Sequence, residues 1–86
     1  MMSNQSNTPW VCVRSEPHRE SFAEANLQRA GFEVYCPRYE RWISHARRRK
    51  MVLRPLFPNY LFVRSSLGLA GMGPVKRTPG VSSLAD

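Results

Sequence analysis

Three glutamates in the first third of the chain have the spacing that acid–base catalysis would use. Glu16, Glu20 and Glu24 recur at every fourth residue, so a helix would place all three carboxylates on one side. No histidine, serine or further acidic cluster is placed to complete a catalytic site, and a helix dipole stabilises acids near its start anyway. We therefore interpret these carboxylates as a solvent-facing row, and we expect a protein that is not an enzyme.

The cysteines and histidines are the residues that could bind a metal ion. Cys12, His18, Cys36 and His45 show neither the paired cysteines nor the paired histidines of a zinc finger. Each cysteine lies in an apolar, strand-like run, where small buried thiols are common. We expect two buried free thiols, with a bridge between neighbouring strands as the alternative, and neither a metal nor another cofactor.

Positive charge is concentrated in the middle of the chain. The 86 residues carry 13 Lys and Arg against 6 Asp and Glu, a formal net charge of +7. Seven of these cations lie between Arg38 and Arg54, where Glu40 is the only acid. Such a concentration is typical of a segment near nucleic acid phosphates, and the alternative is a solvated loop that keeps the protein soluble. The predicted nucleic-acid-binding residues are Arg41, Arg47, Arg48, Arg49, Lys50 and Arg54.

The stretch LFPNYLFV, residues 56–63, is too apolar for a strand that buries only one face. Alternation along a strand sends Phe57, Asn59, Leu61 and Val63 to one face, and Leu56, Pro58, Tyr60 and Phe62 to the other. A sheet covered by helices on one side would expose some of these side chains, and an exposed aromatic cluster usually marks a partner surface. The alternatives are that a further part of the chain or a second copy covers the face.

The elements that must position these residues begin with a strand over 9–14 and a helix. Ser15 or Glu16 could cap the helix, with Pro17 in its first turn. The spacing of Ala23, Leu27 and Ala30 predicts one apolar stripe, and a glycine at position 31 predicts the end of the helix.

Two longer strands and a hairpin follow in the prediction. The second strand begins at Phe32 and runs through Pro37 towards Ile43, and the third begins near Met51 and continues to Val63. The connection over 44–50 lacks a two-residue turn signature, so we expect a long hairpin with a flexible, basic tip.

The last third predicts a short helix over 67–72, ended by Pro74, and a fourth strand opening over 75–78. The resulting order β-α-β-β-α-β predicts an α+β fold, a split β-α-β, ferredoxin-like sandwich. In this fold an antiparallel sheet carries helices on one face and leaves the other face available.

Four motifs in the same order resemble the N-terminal domain of the NusG family, especially its specialised RfaH-like members. The motifs are WVCVRSEPHRE at 10–20, NLQRAGFEVYCP at 26–37, LFPNYLFV at 56–63 and TPGV at 78–81. The resemblance implies a bacterial, cytoplasmic and nucleoid-associated transcription elongation or antitermination factor. In that family the domain binds the clamp helices of the largest RNA polymerase subunit through an aromatic concavity. The matching positions here are Phe57, Tyr60 and Phe62, shaped by Leu56 and Pro58, whereas Trp10 is expected to pack.

The same resemblance implies that the basic hairpin faces upstream DNA or the non-template strand, and it implies neither a membrane nor a small-molecule substrate. We expect a disordered leader over 1–8 and a NusG-like N-terminal domain over 9–86. That domain would lack its C-terminal strand and helix and the KOW-type domain that follows in the family, and it could self-associate. The competing hypothesis is a stand-alone nucleic-acid-binding module that acts through the hairpin.

Overall fold

The computed structural model describes residues 9–85 and combines antiparallel sheets with two α-helices, which confirms the predicted α+β class. Its elements are β1 (Val11–Ser15), α1 (Glu20–Arg29), β2 (Glu33–Tyr35), β3 (Arg38–His45), β4 (Arg48–Pro55), β5 (Tyr60–Arg64), a 3-10 helix (Gly68–Gly71), α2 (Gly73–Lys76) and β6 (Val81–Leu84). The predicted disordered leader over 1–8 lies outside the described residues, as does Asp86.

A four-stranded sheet forms the body of the domain, with strand order β2-β5-β1-β6 and antiparallel neighbours throughout. In the β1–β5 register Val13 faces Leu61 and Cys12 faces Phe62. Because successive side chains of a strand point to opposite faces, Val13 and Leu61 lie on one face of the sheet and Phe62 on the other.

The core lies on the Val13 side of this sheet. Ala23 and Leu27 of α1 pack there, together with Leu61 and Val63 of β5, and all of them are fully buried. Burying a valine or leucine side chain stabilises the fold by about 1.5–3 kcal/mol. The core is therefore one-sided, because both helices contribute to this cluster and the opposite sheet face carries half-buried and exposed residues.

The predicted second and third strands are each divided in the structure. Strand β2 ends at Tyr35 and β3 begins at Arg38, because Pro37 has no N–H group to continue a ladder. Strand β4 ends at Pro55, and β5 begins only at Tyr60. Strands β3 and β4 leave the main sheet and pair with each other, from Arg38 opposite Pro55 to His45 opposite Arg48.

This β3–β4 hairpin is long, as predicted, but its tip is a tight turn rather than a flexible loop. Only Ala46 and Arg47 separate the two strands, with φ values of 53° and 65°. Positive φ at both central residues is what a type I′ turn requires, and this turn follows the twist of the strands. The prediction was wrong because it relied on an Asn-Gly signature, and here residues that rarely adopt positive φ occupy the turn.

Helix α1 begins later than the sequence predicted. Its first residue is Glu20, and Pro17 lies in a preceding turn in which the Arg19 amide donates to the Glu16 carbonyl at 3.0 Å. The turn is required because His18 has a φ of 60°, which a helix cannot accommodate. The predicted apolar stripe of α1 is confirmed at Ala23 and Leu27, which are buried, whereas Ala30 is exposed.

The end of the described chain also differs from the prediction. Pro74 lies in the first turn of α2 instead of ending a helix, and Val75 is a buried helical residue instead of a strand residue. The strand that corresponds to the predicted fourth strand is β6, and it begins only after Gly80, which has a φ of 94°. A Cβ atom at Gly80 would lie 2.8 Å from the Phe22 ring, so α1 and the start of β6 approach closely here. Within residues 9–85, no helix has the length and apolar character to cross a lipid bilayer.

Candidate functional site

Four aromatic rings form a continuous series, here named the aromatic row, on the sheet face away from the helices. The ring centroids of Trp10 and Tyr35 are 6.3 Å apart, those of Tyr35 and Phe62 are 6.4 Å apart, and those of Phe62 and Phe57 are 5.9 Å apart, edge to face. Phe57 is 47% exposed and Tyr35 is 56% exposed. A contiguous aromatic surface of this kind, held by a rigid sheet, is suited to receive a partner.

The register of the sheet places Phe62 at the centre of the row. Strand β2 brings Tyr35 directly opposite Phe62, and Phe62 lies opposite Cys12 on its other side. At one end of the row, the Arg64 guanidinium lies 4.4 Å from the Trp10 ring centroid and 2.7 Å from a carboxylate oxygen of Glu33. A paired cation therefore borders the aromatic surface at this end.

Phe57 reaches the row because the chain turns before β5. Asn59 has a φ of 70°, and the Tyr60 amide donates to the Phe57 carbonyl at 3.0 Å. The alternation predicted from Leu56 onwards fails at this turn, since Phe57 contacts Phe62 although the prediction placed the two on opposite faces.

A buried carboxylate holds this turn in place. The Asn59 amide donates to Glu20 Oε2 at 2.7 Å, and the His18 amide donates to Asn59 Oδ1 at 3.1 Å. The Ser15 amide completes the connection by donating to the Asn59 carbonyl at 2.8 Å. The prediction of a solvent-facing glutamate was therefore wrong for Glu20, which is buried because it satisfies a backbone amide.

Tyr60 lies on the same sheet face, beside the aromatic row. Its hydroxyl accepts a hydrogen bond from Arg14 at 3.1 Å, and the Arg14 guanidinium lies 5.4 Å from the ring centroid. Tyr60 is half-buried, so the ring is fixed while part of it stays accessible.

The structure brings Phe57, Tyr60 and Phe62 to one face, and their role as partner-binding residues stays a prediction. Leu56 is half exposed, and Pro58 lines a cleft at the base of the hairpin together with Arg54. Two members of the row were missed in the sequence. Trp10 was expected to pack, yet it is 42% exposed. Tyr35 could have been found, because the alternation that turns Val34 towards the core sends Tyr35 to the opposite face.

The hairpin register divides the predicted basic residues between two faces. One face carries a cationic row, defined as Arg41, Arg48, Lys50 and Arg54. Arg48, Lys50 and Arg54 alternate along β4, and Arg41 lies across from Val52, where β4 itself offers no charge. All four side chains are exposed. Alternate residues of a strand are about 7 Å apart, so the row extends over roughly 20 Å from Arg48 to Arg54. A basic side chain lies at each step along this length.

The opposite face of the hairpin combines apolar side chains with Glu40, Ser44 and Arg49. It carries Trp42, Met51 and Leu53, all exposed, and the Arg49 guanidinium lies 4.8 Å from the Trp42 ring centroid. Arg47 lies in the turn. The six predicted nucleic-acid-binding residues therefore do not form one surface, since Arg49 belongs to the other face.

Arg38 connects the base of the hairpin to α1. Its guanidinium donates to Glu24 at 2.8 Å and to the Ser21 hydroxyl at 3.1 Å, and this bond to Glu24 raises the pKa of Arg38. Glu24 is therefore paired, contrary to the predicted solvent-facing row. The neighbouring Cys36 is buried, and burial raises the pKa of its thiol.

Both cysteines are free thiols, Cys36 buried and Cys12 half-buried. Across the described stretch, 9–85, His, Cys, Asp and Glu side chains form no group of three that could hold a metal ion. The most prominent exposed surfaces of the described stretch are the aromatic row on the sheet and the two faces of the hairpin.

Comparison with known proteins identifies the family of the chain. Residues 8–86 match the family model NusG, described as transcription termination factor nusG. A search of curated proteins found no match. The family match extends over the sheet, the hairpin and both helices, and it supports a role in transcription. The chain therefore belongs to the NusG family of transcription factors.

Proposed function

We propose that residues 9–86 form the polymerase-binding N-terminal domain of a bacterial, cytoplasmic elongation or antitermination factor. The strand order β2-β5-β1-β6, with antiparallel neighbours and a helix after β1 and before β6, supports a split β-α-β, ferredoxin-like arrangement. The hairpin is an addition to this arrangement, inserted between β2 and β5.

The aromatic row is the proposed contact for the clamp helices of the largest RNA polymerase subunit. The observation that carries this proposal is the exposed series Trp10–Tyr35–Phe62–Phe57 on the sheet face opposite the helices. Helical protrusions present apolar ridges, and an aromatic surface backed by a buried sheet loses little conformational entropy when it receives one. Arg14 would border such a contact with positive charge, whereas the charge of Arg64 is paired with Glu33.

The proposed mechanism uses binding energy alone. A domain that binds one conformation of the polymerase more tightly than the other shifts the equilibrium towards that conformation. Binding to the clamp in its closed position would therefore oppose clamp opening and pausing, and transcription would become more processive.

The cationic row is the proposed contact for DNA phosphates near the upstream fork. Alternate residues of a strand are about 7 Å apart, which equals the rise of about two nucleotides along one strand of B-form DNA. Contacts of this kind position the protein without reading the base sequence. They should weaken with salt, and each cation lost should reduce the slope of log K against log salt by about 0.9.

A pull-down with purified core polymerase tests the clamp contact. Replacing an aromatic side chain at the centre of an interface costs about 2 kcal/mol or more, so Phe62→Ala should weaken binding at least 30-fold. Phe22→Ala is the matched control, because Phe22 is 43% exposed but lies on α1, on the other side of the sheet. Equal losses for the two variants, with both folded by circular dichroism, would contradict the proposal.

The second candidate function is a stand-alone nucleic-acid-binding module, and the unbroken cationic row favours it. Under this alternative, Tyr60→Ala combined with Phe62→Ala would only weaken nucleic acid binding, whereas the proposal expects it to abolish polymerase binding. A wild-type domain that binds oligonucleotides but does not bind core polymerase at moderate salt would establish the alternative.

A further inference from the structure

One cation on the sheet face that carries the aromatic row has no carboxylate of the described chain beside it. Arg14 is exposed, and the register of β1 places it opposite Tyr60 on one side and opposite Ser83 on the other. Its guanidinium donates to the Tyr60 hydroxyl at 3.1 Å, and that hydroxyl is neutral. The other cation on this face, Arg64, is paired with Glu33. Arg14 therefore brings an unbalanced positive charge to an aromatic surface.

The carboxylates of residues 9–85 are engaged elsewhere. Three of them pair with other arginines, one accepts the Asn59 amide, and one lies on the hairpin. In that order, these residues are Glu16, Glu24 and Glu33, then Glu20, then Glu40. A carboxylate that pairs with Arg14 would therefore come from outside this stretch of the chain.

A helix that docks on the aromatic row would cover Arg14. Arg14 is the diagonal neighbour of Phe62 across the β1–β5 pair, and such neighbours are about 7–8 Å apart. The Arg14 guanidinium also lies 5.4 Å from the Tyr60 ring centroid. An apolar ridge in contact with Phe62 and Tyr60 would take this charge out of water, and a buried charge without a partner strongly opposes binding. Such a ridge therefore requires an acidic side chain beside it.

We propose that Arg14 selects the partner of the aromatic row by binding a carboxylate of the docked clamp helix, an Asp or Glu that borders its apolar ridge. This inference rests on the proposed function and adds a specificity-determining contact to it. A guanidinium carries several N–H donors in a planar fork, and the Tyr60 hydroxyl engages only one of its nitrogens. The remaining donors can bind both oxygens of one carboxylate, while the bond to Tyr60 reduces the side-chain freedom that binding must remove.

The charge of this face favours a single protein carboxylate over a nucleic acid strand. Phosphate backbones are bound by several cations at once, and the cationic row of the hairpin has that form. On the sheet face, Arg14 is one unpaired cation beside aromatic rings. One acidic side chain on an apolar helix matches it, whereas a helix with a basic residue at that place would be repelled.

Binding of core polymerase to Arg14→Met tests the contact. Methionine keeps much of the side-chain length beside Tyr60 but removes the charge and the donors. The variant should bind about 30-fold more weakly, because the clamp carboxylate is then covered and unpaired. Arg14→Lys should recover part of the loss, since it keeps the charge without the planar fork. Wild-type affinity in a folded Arg14→Met domain would overturn the proposal.

Arg19→Met is the matched control for this change. The Arg19 guanidinium also lies over an aromatic ring, 4.2 Å from the Phe22 centroid, but it is located at the start of α1. Arg19→Met should bind core polymerase like the wild-type domain. A loss equal to that of Arg14→Met would show that general positive charge, rather than a defined ion pair, is responsible, and the proposal would be wrong.

A double-mutant cycle identifies the carboxylate. Each Asp and Glu of the clamp helices is replaced in turn by Asn or Gln, and each polymerase variant is tested against the wild-type domain and Arg14→Met. One replacement should weaken binding of the wild-type domain and add little to the loss in Arg14→Met, because both changes remove the same contact. Replacing that acid by Lys should restore binding to Arg14→Glu. The proposal fails if no clamp position is coupled to Arg14.

Two further outcomes separate this proposal from the proposed function and from DNA binding. Loss of polymerase binding in Phe62→Ala but not in Arg14→Met would keep the clamp contact and reject the selective role of Arg14. If Phe62→Ala keeps polymerase binding, the aromatic contact fails, while the double-mutant cycle still decides whether Arg14 meets a clamp carboxylate. An equal loss of binding by Arg14→Met to DNA alone would assign Arg14 to phosphates and overturn the proposal.

Discussion

The main sheet and the hairpin are both antiparallel, but they are stabilised differently. The sheet rests on α1 and α2 through a fully buried cluster that includes Val13, Leu27 and Leu61. In the hairpin, every residue from 38 to 55 is exposed or half-buried. The hairpin depends on its own strand pairing, on its turn, and on the contacts of Arg38 with α1.

This difference gives one small domain two kinds of exposed surface. The sheet that carries the aromatic row packs against the core with its other face. The geometry of the row is therefore fixed by the same packing that stabilises the fold. The hairpin presents both faces to solvent, so its side chains can be selected for binding with little effect on folding. The molecule measures 50 × 30 × 24 Å, an elongated shape for a small domain.

The largest expected effect compares two leucines, one in each region. Leu61 is 0% exposed and Leu53 is 60% exposed. Leu61→Ala should lower the free energy of unfolding by about 3 kcal/mol, from lost burial and the cavity left behind. Leu53→Ala should change it by less than about 0.5 kcal/mol. Urea denaturation followed by circular dichroism measures both values, and a comparable loss in Leu53→Ala would show that the hairpin contributes to the core after all.

The next comparison concerns two glutamates. Glu20→Ala removes the acceptor of the Asn59 amide and should cost about 2 kcal/mol, because a buried donor is left without a partner. Its polymerase binding should fall as well, since the turn that places Phe57 is released. Glu40→Ala, on the exposed hairpin, should be close to neutral in urea denaturation. Unchanged amide exchange at Asn59 in Glu20→Ala would contradict this account of the turn.

A smaller effect is expected at the hairpin tip. Ala46→Asn combined with Arg47→Gly supplies residues that tolerate positive φ and should stabilise the hairpin by about 1 kcal/mol. Hydrogen exchange of the β3 and β4 amides should become slower, with little change in the melting temperature of the domain. Faster exchange would show that the wild-type turn is not strained. Arg77→Gly, outside the hairpin, controls for the lost charge.

The smallest expected effect is the dependence of stability on alkaline pH. Burial raises the pKa of Cys36 in the folded chain above its ordinary value of 9.0, with Arg38 opposing the shift. The contribution of Cys36 to the free energy of unfolding is constant below the pKa of the unfolded chain. It falls as pH rises through the higher pKa of the folded chain, because the unfolded chain releases the thiol proton first. Stability differences between wild type and Cys36→Ala should show this loss above about pH 9.

The sequence predicted those elements whose pattern reflects burial against a common core. The first strand, the Ala23 and Leu27 positions of α1, and the glycine that ends it follow from local periodicity and backbone freedom. The division of the predicted strands at Pro37 and after Pro55 did not follow, because whether a proline bends a strand or ends it depends on which sheet the chain joins afterwards.

The candidate site shows the same limit. LFPNYLFV drew attention to Phe57, Tyr60 and Phe62, but the face reached by Phe57 depends on the left-handed conformation of Asn59, which is fixed by a distant glutamate and histidine. Alternation along β4 alone separates Arg49 from Arg48 and Lys50, whereas the place of Arg41 in the cationic row required the cross-strand register. That register in turn depends on the two-residue turn at Ala46 and Arg47, which the residue types did not predict.

The paired register of β3 and β4 also limits how the length of the hairpin can change. Adding one residue to each strand at the base would keep the pairing but rotate the ribbon by half a turn relative to the domain, exchanging the directions of its basic and apolar sides. Adding two residues to each strand would restore the original orientation and carry both sides about 7 Å further outwards. Related chains whose hairpins keep the basic and apolar sides in these directions should therefore differ in hairpin length by even numbers of residues per strand.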